Sequence, residues 1–308
     1  MKIKSLGFSI KNNNSKVSTS DIINYLIQKS THEIKKADYD RQILVSDDTN
    51  YYSGLVLTHK NQRKNCLSTI NNGQFQIKID DIVGDEKLVS FNFFCISKKS
   101  LKGIYMYYRG SCSLNSLFSS WQSYSSQFIR KQMRAELAKL ATPKDKKQVD
   151  AIHKQYKGRL EFSIIIDKNS LSSLVQSFRE IKSASFRFDS VDFNNSDMIG
   201  VEQYTRNTEI SFNISDSDKT KVQVVGDSIG NLFNNMPGIS KGVIRGIDHN
   251  KTERFIDLIN SPCFFSEYEF DDLASHVNGL NNANYNNNAI IGIIKNEIEN
   301  GKNKNEFV

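Results

Sequence analysis

Two aromatic-rich runs limit the folds open to this chain more than any other feature. Lys87 to Ser97 and Leu101 to Arg109 are dense in Phe, Tyr and Ile, and Lys98-Lys-Ser100 joins them. Such side chains suit the pleated surface of a sheet, and a short polar link between two such runs signals a hairpin. Other strand-like runs lead up to the pair. They are Lys2 to Ile10 before Lys11-Asn-Asn-Asn14, Gln42 to Ser46, Tyr51 to His59 after the turn Asp47-Asp-Thr-Asn50, and Phe75 to Ile79. Among them, Ser18 and Ser20 offer N-caps for a helix with Ile22, Ile23, Leu26 and Ile27 on its apolar face. Residues 1–112 therefore read as a mixed α+β domain.

A long helix is expected from Ser113. Leu114, Leu117, Trp121, Tyr124 and Phe128 form one stripe, whereas Ile129, Met133, Leu137 and Leu140 lie on another face. One straight helix cannot turn both sets towards one surface, so a bend or break is expected near residue 129. Eight serines between Ser111 and Ser126 give this helix a small polar face, open to close approach by another helix or a phosphate backbone. The apolar stripe with its serine flank also predicts a homodimer contact. Thr142-Pro143 then reads as the cap and first position of a second helix, ending near Gly158.

These two helices hold the whole net charge of the protein. Ten basic residues, Arg130, Lys131, Arg134, Lys139, Lys144, Lys146, Lys147, Lys154, Lys157 and Arg159, stand against Glu136, Asp145 and Asp150. The segment therefore carries +7, as does the entire 308-residue chain. Charge concentrated in this way marks a patch for a polyanion. Nucleic acid is the foremost candidate, because clustered cations on a dense row of phosphates release counterions. Residues 113–158 read as a basic helical connector between two domains.

From Leu160 the pattern becomes strand 160–166, helix 170–181, strands 184–193 and 205–214, helix 226–235 and strand 242–248, with 253–259 as an extra strand. That order is β-α-β-β-α-β, so residues 159–277 are expected to form a ferredoxin-like domain. Asn278 to Asn288 holds seven asparagines and reads as a flexible link before a terminal helix carrying Ile290, Ile291, Ile293, Ile294 and Ile298. Residues 278–308 are thus a link and helix that dock either on the chain's own body or on a partner.

No run of 18 apolar residues occurs, and the N-terminus lacks a signal-peptide core, so a cytoplasmic protein is expected. Cys66, Cys95, Cys112 and Cys263 are scattered without metal or disulfide spacing, and no cofactor is expected. The histidines, His32, His59, His153, His249 and His276, show no ligand pairing, and neither a phosphate-binding glycine loop nor a hydrolase nucleophile motif is present. Two acidic clusters could converge on divalent ions as a nuclease requires: Asp80, Asp81, Asp85 and Glu86 beside Lys87, and Asp189, Asp192, Asp197 and Glu202. In both, loop-like residues stand between the carboxylates, and the expectation is that the protein is not an enzyme.

The N-terminal 120 residues resemble the RexA-like phage-exclusion (abortive infection) proteins. The similarity runs through Met1-Lys2 to Gly7-Phe8, the first helix, Gly54-Leu-Val-Leu-Thr58, Asp80-Asp81-Ile82, the aromatic strands from Leu88 to Arg109, and Leu114 to Phe118. The resemblance implies a homodimeric DNA-binding sensor of superinfection exclusion that acts with a membrane-protein partner, and it carries no catalytic residues. Charge and resemblance together predict a cytoplasmic phage-defence protein that binds double-stranded DNA without reading its sequence. The rival readings are a metal-dependent nuclease and a scaffold whose basic helices bind an acidic protein or anionic lipid.

Overall fold

The computed structural model describes residues 1–30, 33–71, 74–140, 145–165, 175–188, 208–214, 219–235, 239–257 and 264–307. Its larger sheet is assembled around the first strand, β1 (Lys2–Asn12). The other strands of this region are β2 (Glu33–Lys35), β3 (Tyr39–Asp47), β4 (Tyr51–Lys60), β5 (Lys64–Asn71), β6 (Gln74–Asp81), β7 (Val89–Ser97) and β8 (Lys102–Tyr107). Later in the chain come β9 (Leu160–Ile165), β10 (Phe178–Phe188), β11 (Thr208–Asn213), β12 (Ile239–Asp248), β13 (Glu253–Asp257) and β14 (Glu267–Glu269). The eight-stranded sheet runs β14-β1-β8-β7-β4-β3-β2, with β9 also on β1. β14 pairs with Lys2–Lys4 and β9 with Gly7–Asn12, all antiparallel. The expected aromatic hairpin is β7–β8.

Both faces of this sheet are covered, which is why β7 reads as an almost unbroken apolar run rather than an alternating one. On one face Phe8, Ile10, Val45, Val56, Phe94 and Ile96 pack beneath two helices, α1 (Thr19–Lys29) and α2 (Leu114–Leu137). On the other, Leu44, Leu55, Phe93, Cys95 and Ile104 meet residues near the C-terminus. Gly54 allows this close packing: a Cβ there would fall 2.1 Å from the Phe94 ring and 2.6 Å from the Leu44 carbonyl oxygen. α1 begins as the sequence implies, with Ser18 and Asp21 forming a reciprocal capping box.

α2 is one continuous helix, so there is no break at residue 129. Leu114, Leu117, Phe118, Trp121 and Ile129 are buried, and beyond Ile129 no side chain of α2 is fully buried. The C-terminal end of α2 meets α3 (Lys146–Gln155) and the segment after it, where Tyr156 bonds Glu136, so the second apolar set has a different neighbour from the first. The burial of Leu114, Leu117 and Trp121 also removes the stripe expected to form a dimer contact. Thr142 and Pro143 lie outside the described residues, and α3 is capped by Asp145, whose carboxylate accepts from Lys147 N–H at 3.0 Å.

The second sheet, β11-β10-β12-β13, carries α4 (Lys219–Asn235) on one face. It is not ferredoxin-like. β9 leaves for the first sheet, β10 pairs with both β11 and β12, and Phe178–Ile181 are strand where helix 170–181 was expected. β9 prefers the open edge of β1 because Phe162 there stacks on Phe118 of α2, ring centroids 4.0 Å apart. The boundary expected at residue 159 therefore does not follow the sheets. Strands 178–257 sit between two segments, β9 and β14, that both belong to the first sheet.

The C-terminal region is part of the same body. α5 (Phe270–Ser275) and α6 (Ala289–Asn300) lie on the sheet face opposite α2, and Ile290, Ile291, Ile294 and Ile298 are buried there. Of the two hosts expected for this helix, the chain's own body is the one observed, and these isoleucines are not free for a partner. The asparagine run is a hydrogen-bonded connection, not a free link: Asn281 N–H donates to Asn284 Oδ1 at 2.8 Å, Asn288 caps α6, and Tyr285 is buried. Among the described residues no helix is long and apolar enough to cross a membrane.

Candidate nucleic-acid interface

The ten basic residues named from the sequence fall on α2, on α3 and on the short segments beside them. Arg130, Lys131, Arg134, Lys139, Lys146, Lys147, Lys154 and Lys157 are exposed, and none makes an ion pair among the described residues. Arg159 differs: it is half-buried and its Nε lies 4.0 Å from Glu161. Lys144 lies outside the described residues.

Helical geometry arranges these cations. On α2 the solvent-facing positions Ser116, Ser120, Ser123 and Gln127 continue at three- and four-residue steps into Arg130, Lys131 and Arg134. One face of the helix therefore passes from hydroxyl and amide groups to cations over about 27 Å at 1.5 Å per residue. On α3, Lys147 and Lys154 are seven residues apart and share a side opposite the inward positions Val149 and Ile152. The phenol of Tyr156 donates to Glu136 Oε2 at 2.6 Å and ties the end of α3 to α2. That bond to Glu136, aided by burial, pushes the Tyr156 phenol up to about 12. Glu136 and Asp145 are thus used in holding the helices, so two of the three carboxylates in this segment serve its shape.

The first acidic cluster does not converge. Asp80 pairs with Lys78 at 2.6 Å, Asp81 with Lys64 at 3.7 Å, and Lys87 turns away to Asp40 at 2.6 Å. The strands β5 and β6 carry these carboxylates on an exposed ribbon, each beside a lysine. Asp189, Asp192, Asp197 and Glu202 lie outside the described residues. Among the described residues no group of three or more His, Cys, Asp or Glu side chains is placed to hold a metal ion. Cys95 and Cys112 are buried, and burial pushes the Cys95 thiol up to about 12.

Sequence reasoning missed two features. One is the large apolar exposure of the β5–β6 ribbon, where Ile70, Phe75, Ile77 and Ile79 stand in water. The other is Arg41, a cation buried beside the serine face of α2. The β alternation of residues 75–79 was a legible signal for the first; nothing local marks Arg41, whose side chain lies by Thr58 and the Tyr39 ring and shares a groove with a helix more than 70 positions away. No protein-family profile matches the chain, and a search of characterised proteins finds no match.

Proposed function

We propose that this chain binds double-stranded nucleic acid through its phosphates, using the exposed cations of α2 and α3, without reading base sequence. The observation that carries the reading is the set of eight exposed Lys and Arg side chains in one short helical segment, none neutralised by an ion pair among the described residues. Isolated surface cations are usually distributed or paired; an unpaired cluster keeps a high local potential that a row of phosphates satisfies. Phosphate contacts position a protein on a duplex but carry no sequence information, and among the described residues no recognition device accompanies the patch. A role in phage exclusion beside a membrane-protein partner is the biological setting that the RexA-like resemblance suggests.

The test is fluorescence anisotropy with random-sequence duplexes. Affinity is expected to fall steeply between about 50 and 200 mM salt. Lys146→Glu, Lys147→Glu and Lys154→Glu together should weaken every duplex alike while the melting temperature holds. Unchanged affinity in the folded triple variant rules out this surface, and Mg²⁺-dependent cleavage of plasmid DNA would favour the nuclease reading instead.

We further propose a homodimer, made through the β5–β6 ribbon rather than through α2. Ile70, Phe75, Ile77 and Ile79 share one face of the ribbon by register, with exposures from 48% to 74%. A two-stranded ribbon is marginal alone in water, so its apolar face calls for a constant companion. The ribbon holds Lys64, Lys78, Asp80 and Asp81 and is therefore neutral on a chain of +7, so two copies meet there without repulsion.

A further inference from the structure

We propose that the groove between the β2–β3 edge and the serine face of α2 is a binding site for a phosphate dianion, held by Arg41. The groove has a volume of about 590 Å³, within the range of small-ligand sites. Lys36, Tyr39, Arg41, Ser119, Ser120 and Ser123 are among its lining residues, and among the described residues no carboxylate lines it.

Arg41 is the decisive residue. It is only 7% exposed, yet it has no ion-pair partner among the described residues. Its one hydrogen bond there is from Nε to Thr58 Oγ1 at 3.3 Å, and its guanidinium lies over the Tyr39 ring at 4.6 Å. A guanidinium has five N–H donors, and the four on its terminal nitrogens make no hydrogen bond among the described residues and are not sealed from the groove. Burying a cation without an opposite charge is costly, and the cost is met when an anion with matching geometry occupies the site. The planar fork of Arg suits two oxygens of a phosphate.

The surroundings fit that anion and little else. The Ser119 and Ser123 hydroxyls make no hydrogen bond among the described residues and are available as donors. Lys36 and Arg41 supply two positive charges to a lining without acids, which matches a phosphate monoester carrying close to two negative charges. Tyr39 and Tyr124 give the groove aromatic walls against which the rest of the ligand can lie. Residues 130–159 do not line it, so this site stands apart from the duplex contact proposed above.

One chemistry has two sources here, a free nucleotide or the 5′-phosphate end of a nucleic acid, and the experiment separates them. The full chain is titrated with sodium phosphate, adenosine 5′-monophosphate, and a duplex with or without 5′-phosphates, at matched ionic strength, while its melting temperature and affinities are read. The expected result is stabilisation by a phosphate monoester that vanishes in Arg41→Met and is at least tenfold weaker in Ser123→Trp, which fills the groove from an exposed position. Arg41→Met without ligand should melt at or above the wild-type temperature, because a buried charge has been removed. A response to the monophosphate assigns the free source. A response to the 5′-phosphorylated duplex alone assigns the nucleic-acid end. No stabilisation by any probe, or equal stabilisation of both variants, overturns the site. Binding of the 5′-hydroxyl duplex by Arg41→Met should equal wild type, so failure here leaves the α2–α3 contact standing.

Discussion

The hydroxyl of Ser5 donates to Oε2 of Glu297 at 2.8 Å, joining the first strand to the last helix across 292 positions, and both side chains are buried. The phenol of Tyr268, on β14, donates to the same oxygen at 3.2 Å. Burial, together with this carboxylate, pushes the Tyr268 phenol up to about 12. One oxygen thus collects donors from β1 and β14 and fixes where α6 sits.

Replacing that carboxylate should be costly. Glu297→Ala leaves the buried Ser5 hydroxyl and the partly buried Tyr268 phenol without this acceptor and should lower stability by about 1–3 kcal/mol, whereas Ser5→Ala removes one donor and should cost about 1 kcal/mol. Urea unfolding followed by Trp121 fluorescence checks both. Deleting residues 289–308 should prevent folding altogether, because Ile290, Ile291, Ile294 and Ile298 leave the core with it. A truncated protein that melts like the full chain would contradict this.

A second contact makes α6 docking depend on pH. The Lys295 ammonium hydrogen-bonds the Asp48 carboxylate in the β3–β4 turn and, with the Thr49 amide, holds that carboxyl below its usual range. A carboxyl depressed in the folded state stabilises above its unfolded value, near 3.9, and loses that contribution as pH falls through the folded value. Both side chains are partly open to water, so the contact is worth no more than about 1 kcal/mol. Lys295→Met should therefore lower the melting temperature slightly at pH 7 and not at all near pH 2. An equal difference at both pH values would assign the effect to packing.

The Tyr156–Glu136 bond holds the end of α3 against α2, and under the duplex binding proposed above it would let the two groups of cations act on one ligand. Tyr156→Phe should leave the fold intact but reduce the slope of log affinity against log salt by about 1 for each phosphate that α3 no longer reaches. Anisotropy titrations at four salt concentrations give that slope directly, and an unchanged value would show that α3 binds independently of its anchor.

The ribbon offers a test of assembly. Ile77 sits in mid-strand on the apolar face, opposite Ser68, with Phe75 and Ile79 on either side. Ile77→Asp should convert a dimer to a monomer of 35.1 kDa by light scattering, with unchanged melting, since Ile77 supports no core. A wild-type monomer that binds vesicles through the ribbon would instead make it a lipid contact.

The α+β class, the β7–β8 hairpin and the capped α1 were legible because each depends on neighbours in sequence: alternation, turn residues, a cap three positions from its partner. β9 was not, because LEFSII reads as a strand without saying whose edge it joins, and the edge it joins lies 150 residues back. The helix expected at 170–181 failed at its end, where Phe178 and Ile181 point into the second core as strand residues. The cations of α2 and α3 were legible one by one from composition. The lack of ion pairs at eight of them among the described residues, and the burial of Arg41, depend on three-dimensional company that no local pattern encodes.

The split edge of β1 has a kinetic consequence. Its partner β8 is about 100 residues away, but its outer edge waits for β9 and then for β14, some 150 and 260 positions later in synthesis. Contacts so distant along the chain slow folding, because the entropy of closing each loop is lost before the strand pairs. Until residues 264–298 leave the ribosome, β1 presents an unfinished edge and a bare apolar face, both prone to mispairing. The nascent chain is therefore expected to depend on chaperones late in translation, and its yield to respond more to the rate of synthesis of its final segment than to that of the first sheet strands.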